Sequence, residues 1–149
     1  MDIYHATLKD LEPVSHLFNK YREFYQQKTD LSGATSYITE RLTNQDSIII
    51  LAKEGNEYLG FAQLYPTFSS IAMQKAFILN DLYVSQSARK RGVGDQLLQA
   101  VKDTLSQHHI FRLSLSTAID NHAAQRLYEK HGFVRDMEFY HYQLTLEQG

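Results

Sequence analysis

Leu11, Val14, Phe18, Tyr21 and Tyr25 recur every three to four positions, the spacing of one face of a helix. Pro13 lacks an N–H and fits only the first helical turn, which makes Asp10 a better N-cap than Thr7. A second helix is expected from near Ser32, carrying Tyr37, Ile38, Arg41 and Leu42, and residues 2–6 read as a short strand before both. Residues 47–53 are a continuous apolar run of strand length. Gly55-Asn56 supplies a turn, and 57–65 reads as the returning strand, ended by Pro66. Residues 75–84 predict another strand, and 92–107 a helix with Leu97, Leu98, Val101 and Leu105 on one face. Phe111, Leu113 and Leu115 alternate, which marks a strand over 111–117. A helix over 121–131 stopped by Gly132, and a last strand over 139–146, complete the order β-α-α-β-β-β-α-β-α-β. That is an α/β chain with a mixed central sheet flanked by helices. No repeat, low-complexity tract or Pro/Gly/Ser linker interrupts it, so residues 1–149 are expected to form a single domain.

Composition narrows the functions open to such a chain. An apolar fraction of 43% and an aromatic fraction of 12% suit a packed globule. Fifteen Lys and Arg stand against 17 Asp and Glu, a formal charge of −2, which weighs against nucleic acid as a partner. Without cysteine there is no disulfide, no thiolate metal site and no acyl-cysteine intermediate. None of the seven histidines forms a His-x-x-x-His pair, so no metal is expected. The N-terminus lacks the basic-then-apolar pattern of a secretory leader, and the longest apolar run, 48–52, is far short of a membrane span. No membrane partner and a cytoplasmic location are therefore expected.

The chemistry concentrates between Asn80 and Phe133. A strand leads through residues 85–88 into Arg89-Lys90-Arg91-Gly92-Val93-Gly94, which opens a helix. A helix start exposes unpaired N–H groups and the positive end of the helix dipole, and glycines remove side chains that would keep a phosphate away. With three cations beside it, a pyrophosphate is the natural guest. A P-loop would need Gly-Lys-Ser/Thr, but Asp95-Gln96 follow Gly94; a nicotinamide fingerprint would need a small residue where Leu97 stands. Arg-x-x-Gly-x-Gly after a strand instead resembles motif A of the GNAT superfamily of acetyl-CoA-dependent N-acetyltransferases. Residues 121–133, in which Asn121 opens a helix, Tyr128 lies two turns on and Gly132-Phe133 follow, resemble motif B. Both occur in the family's order, separated by one helix and one strand. Asn80-Asp81-Leu82-Tyr83-Val84 is most similar to the branch that acetylates polyamines and histone-tail lysines.

The resemblance implies the GNAT fold, with a bulged strand that splays from its neighbour, and acetyl-CoA as co-substrate. The backbone of Leu82, Tyr83 and Val84 would hydrogen-bond the pantetheine arm. That of Arg89, Lys90, Arg91, Gly92, Val93 and Gly94 would hold the pyrophosphate, with Arg89 the matched basic side chain. Asn121 would bond the pantetheine amides or cap its own helix. Tyr128 would serve as general acid to the leaving thiolate while the amine attacks the thioester directly in a ternary complex. The attacking amine must be unprotonated, which costs on the order of 4 kcal/mol near neutral pH for a lysine-like amine. A carboxylate can relieve that cost, and Asp81 stands in an apolar strand at the matched place. The family often carries Glu one position earlier, where this chain has Asn80, which cannot act as a base. The base is therefore Asp81, an ordered water chain, or a group from elsewhere. Tyr25, Glu23, Asn80 and Asp81 are the candidate acceptor contacts, Tyr25 by its ring face and Glu23 by its charge.

Two acceptor classes fit, a small-molecule amine in an enclosed acidic pocket and a protein lysine or N-terminus in an open groove. A reading of another class is a non-catalytic acetyl-CoA-binding sensor or scaffold, which would need neither Tyr128 nor Asp81. The aromatic last strand, with Phe139, Tyr140, His141 and Tyr142, either pairs with a second copy in a homodimer, as in many relatives, or lies inside the sheet.

Overall fold

A computed structural model describes residues 1–148. The apolar run after Ser47 becomes β2 (Ile48–Glu54), whose partners are β1 (Asp2–His5) on one edge and β3 (Glu57–Ser69) on the other. The turn between β2 and β3 places Gly55 at φ +60, a left-handed conformation that glycine adopts without strain. β4 (Gln74–Val84) returns along β3, and β5 (Leu113–Ser114) completes the order β1-β2-β3-β4-β5. Every pairing is antiparallel except β4 with β5. α1 (Leu11–Phe24), α2 (Leu31–Asn44), α3 (Val93–Gln107) and α4 (His122–Lys130) surround the sheet.

Strand alternation decides which face each side chain enters. Ile50, Ala52, Leu59, Ala62 and Leu64 bury against Leu97, Leu98 and Val101 of α3. Ile49, Leu51 and Phe61 point the other way, against Val14, Leu17 and Phe18 of α1 and Ile38 of α2. Each fully buried aliphatic side chain contributes about 1.5–3 kcal/mol, so the two layers together hold the sheet. At Gly60 the strands approach so closely that an added Cβ would sit 2.4 Å from the Tyr83 carbonyl oxygen, which leaves room for glycine alone.

Four sequence expectations need correction. Thr7 caps after all: its hydroxyl accepts from the Lys9 N–H at the start of a 3-10 turn (Leu8–Asp10). Asp10 is the N-cap of α1 by position, but its carboxylate accepts from the Thr7 N–H and the Tyr4 hydroxyl instead. Pro66 does not end β3. It sits opposite Phe77, whose N–H turns away to the Arg112 carbonyl, so the pair exchanges no hydrogen bond and the missing N–H would point past the end of β2. The strand expected over 111–117 shrinks to two residues because only Phe77 and Ile78 of β4 lie alongside it. Residues 139–146 form no strand, so the final β of the expected order is absent and their large apolar side chains are exposed.

Candidate functional site

The site begins with a misfit between β3 and β4. Gln63 pairs with Asp81, but the next residue of β3, Leu64, pairs with Leu79, leaving Asn80 as an extra residue in β4. Regular alternation would put Asp81 on the same face as Leu79, against α3. The bulge moves it to the opposite face, beside Gln63, Phe61 and Tyr83 and under α1. Asp81 is 1% exposed there. Its Oδ1 accepts from Asn80 Nδ2 (2.8 Å) and its Oδ2 from Gln63 Nε2 (2.5 Å). Burial raises its pKa above the usual carboxylate range, against the opposing pull of the hydrogen bonds from Asn80 and Gln63.

Tyr21 and Tyr25, at the end of α1, meet edge to face with centroids 5.1 Å apart. Burial, and then the neighbouring Asp81, push the pKa of both phenols upward. The Tyr21 hydroxyl donates to the Asn80 carbonyl (3.1 Å), which fixes the bulge to α1. The Tyr21 ring also meets Phe61 and Tyr83 edge to face, which seats it over β3 and β4. Glu23 is engaged elsewhere, in an ion pair with Lys20 (3.5 Å) on the surface of α1.

On its other edge, β4 parts from β5 after Ile78. From Leu79 to Val84 the backbone on that side has no strand partner, while the side chains of Leu82 and Val84 pack toward α3 and that of Tyr83 toward α1. The strand thus offers backbone groups, not side chains, to whatever enters the gap. The far side of the gap is α4, with Leu127 and Tyr128 packed against the same core. Asn121 caps α4, its Oδ1 accepting from the Ala124 N–H (3.2 Å), which leaves its Nδ2 without a protein acceptor among the described residues. Tyr128 is largely buried, and burial pushes its phenol up to about 12. Its ring meets Phe133 edge to face at 5.6 Å.

The gap runs to the start of α3. Gly92 has φ +77, with open space where a side chain would be, so the backbone conformation selects glycine. The helix's first hydrogen bond runs from the Gln96 N–H to the Gly92 carbonyl (3.1 Å). The N–H groups of Val93, Gly94 and Asp95 therefore have no helical acceptor. A Cβ on Gly94 would lie 3.0 Å from Leu127 Cδ2, so this glycine also lets α4 approach α3.

The three cations before the helix have separated. Arg91 is held by Glu54 and Glu57 of the β2–β3 hairpin. Arg89 lies over the rings of Phe24 and Tyr83 and donates to the Val84 carbonyl (3.2 Å). Lys90 is exposed and makes no ion pair among the described residues. Asp95, in the first turn of α3, would oppose an anion, but hydrogen bonds from His131 (2.8 Å) and Lys130 (3.0 Å) hold its pKa below the usual range, and the Lys130 ammonium offsets its charge.

The structure thus joins Asp81 to Asn80 and Gln63 by hydrogen bonds, holds Tyr21 on the Asn80 carbonyl with Tyr25 against its ring, and packs Tyr128 separately, from α4 on the α3 side of the sheet. Sequence reasoning missed Gln63, Tyr21 and Ser47. Gln63 carried a signal: it is the one polar side chain in the run Leu59-Gly60-Phe61-Ala62-Gln63-Leu64. Among the described residues no group of three or more His, Asp or Glu gathers as a metal site, and no helix is long and apolar enough to cross a membrane.

The chain matches the family described as Acetyltransferase (GNAT) family over residues 11–133. It is 45% identical over 146 residues to a Bacillus subtilis protein named uncharacterized N-acetyltransferase YhfO, covering 98% of both chains. A crystal structure of a probable acetyltransferase superposes with a TM-score of 0.93 at 41% identity, covering all of both chains. A Clostridium acetobutylicum predicted acetyltransferase, solved with acetyl-CoA, shares the fold with a TM-score of 0.77 at 15% identity, over 95% of each chain.

Proposed function

The chain belongs to the GNAT family of acetyltransferases, enzymes of acetyl-CoA-dependent N-acetyl transfer, and on that premise we propose the roles its own residues take. The observation that carries the reading is the parting of β4 from β5 directly beside the unpaired N–H groups of α3. A pantetheine arm needs amide partners along an extended backbone, and a pyrophosphate needs N–H donors at its end. Leu82 to Val84 supply the first, and Gly92 to Gly94 the second. Lys90 adds the mobile cation, Arg89 leaves the Val84 carbonyl as the arm takes it up, and Arg91 braces the loop against the hairpin. The free Nδ2 of Asn121 donates to the arm from the α4 side.

The acceptor is a primary amine entering past Tyr25 and Tyr21. Its nitrogen gives a proton to Asp81 and attacks the thioester carbonyl directly; the C–S bond breaks as the C–N bond forms. Tyr128 donates its phenolic proton to the departing sulfur and regains one from the acylated nitrogen, which still carries an extra proton after the attack. Asn80 serves by holding Asp81, while Glu23, paired with Lys20 on the surface of α1, has no part in the chemistry. The whole chain, residues 1–149, acts as one catalytic domain in the cytoplasm, without a metal.

A homodimer belongs to the same reading. Tyr140, Tyr142, Leu144 and Leu146 alternate in sequence with His141, Gln143 and Thr145, and would share one face if the segment were extended. That face calls for a core, yet Tyr142 is 90% exposed. The open edge of β5 could pair with this segment from a second copy, which would give its alternating apolar positions a sheet to join. Light scattering on the eluting full-length protein should give the mass of two chains, and that of one for Tyr142→Asp; a monomeric native protein would sink the dimer.

Thiol release from acetyl-CoA against spermidine, lysine, a lysine-rich peptide and an aminoglycoside tests the transfer. At least one amine should support release, and its class identifies the acceptor. The assigned site fails if Gly92→Val, which strains the α3 start, leaves acetyl-CoA affinity unchanged.

A further inference from the structure

Gln63 is wholly buried, with its amide held between two partners. Ser47 Oγ donates to its Oε1 (2.9 Å), and its Nε2 donates to Asp81 Oδ2 (2.5 Å). Packing alone does not ask for an amide here, since its neighbours on this face of the sheet include Phe61 and Tyr83. Burying an amide without partners costs on the order of 1–3 kcal/mol. The chemistry of its neighbour supplies a reason for its presence.

A buried general base changes its hydrogen-bonding character in every turnover. As a carboxylate, Asp81 only accepts; once protonated, one oxygen must donate. Asn80 Nδ2 can only donate, so the new O–H belongs on Oδ2, facing Gln63. With the amide as it stands, that O–H would confront an N–H. A half-turn of the amide removes the conflict: Oε1 accepts from the carboxyl, and Nε2 donates to Ser47 Oγ, which rotates from donor to acceptor. Lysine or arginine at this position could only donate, glutamate when ionised could only accept, and leucine could do neither.

We propose that Gln63 and Ser47 form a turnover relay in which the amide of Gln63 stabilises ionised Asp81 in one orientation and protonated Asp81 in the other. The proposal rests on Asp81 being the base. In the step it serves, an N–H bond of the amine breaks with its electron pair left on nitrogen, and an O–H bond forms at Asp81 Oδ2. The proton later passes to water, restoring the first orientation. Ser47 is half-buried and lines a surface cleft with His5, Arg41 and Gln45, so solvent completes its hydrogen bonding in either state.

The other groups facing Asp81 do not dictate the amide's direction. They are Tyr21 and Tyr25 from α1, Tyr65 from β3 and Asn80 beside it on β4, all uncharged near neutral pH. Behind them, Arg41 acts on Tyr65 and Tyr37 and is paired with Asp46 and Glu40. The charge on Asp81 is what the amide responds to.

The test needs no substrate. In isotopically labelled full-length protein, the Asp81 carboxyl carbon and the Gln63 side-chain amide are followed by NMR against pH. The Gln63 signals should move with the same midpoint as Asp81. At low pH they should reach the position they hold at every pH in Asp81→Asn, whose own NH2 requires Oε1 as its acceptor. In Gln63→Leu the Asp81 midpoint should rise by about one pH unit, because a hydrogen bond to a charged group is worth more than one to its neutral form. Gln63 signals that stay fixed through the Asp81 midpoint, or that are unaltered in Asp81→Asn, overturn the relay. Failure of Asp81 as the base would show separately, as turnover retained by Asp81→Asn.

Discussion

Asp81→Asn is expected to lose about 10²–10⁴-fold in kcat/KM for the amine, the share that general base catalysis commonly supplies, while the folded protein becomes more stable to heat near neutral pH. The two effects have one cause. Asp81 is buried, and burial raises its pKa above the unfolded value. Between the unfolded and folded values, the folded chain binds more protons than the unfolded one, so stability falls as pH rises through that window. Above it the full cost of the buried charge stands, and the amide side chain removes that cost. The melting temperatures of native protein and variant should converge in acid, where native Asp81 is protonated, and separate toward neutral pH with the variant above. Native activity should fall on the acid side, with its limb above the ordinary carboxylate range, because only the ionised form accepts a proton. A variant that keeps more than a tenth of the activity would move the base elsewhere; one that melts lower at neutral pH would mean that the charge is structural.

That Asp81 is a candidate base was legible in the sequence, but the face of the sheet it occupies was not. An aspartate in an apolar strand stands out by composition alone. Its direction depends on the extra residue at Asn80, and no local pattern announces a bulge, because it is a mismatch between two strands. The start of α3 was legible down to single residues, since Gly92 and the helical stripe after it are local in sequence. Gly94 carries a further role, closeness to Leu127, which only the packing of α4 reveals. The same division explains the errors. Pro66 stops a strand only where its N–H would be needed, and that depends on how far β2 extends alongside. The stretches around β5 and residues 139–146 have strand-forming sequences, but a strand exists only with a partner, and β4 turns away after Ile78. Gln63 was visible as a polar interruption, while its function depends on two residues, Ser47 and Asp81, 16 and 18 positions away.

Tyr128→Phe should lower kcat by about 10²–10³-fold and leave acetyl-CoA binding, measured by calorimetry, within about twofold. The substitution removes one oxygen and keeps the ring that packs on Phe133 and the α3 core. The hydroxyl makes no protein hydrogen bond among the described residues, so folding loses little. On the proposed role, what is lost is a proton donor beside the leaving sulfur, which matters only as negative charge develops there. That is why the effect falls on kcat and spares binding. The pH dependence carries a second check. Burial holds the phenol at about 12, so the native enzyme keeps its donor well past the ordinary tyrosine range and loses it only near pH 12. The corresponding stability is full below the unfolded value of about 10 and declines as pH rises toward the folded one. Native activity should therefore show no tyrosine-dependent fall between pH 8 and about 10, and the ratio of native to variant kcat should stay flat across that interval. A ratio that collapses toward one by pH 10 would mean that an ordinary, solvent-exposed phenol, not this buried one, supplies the proton.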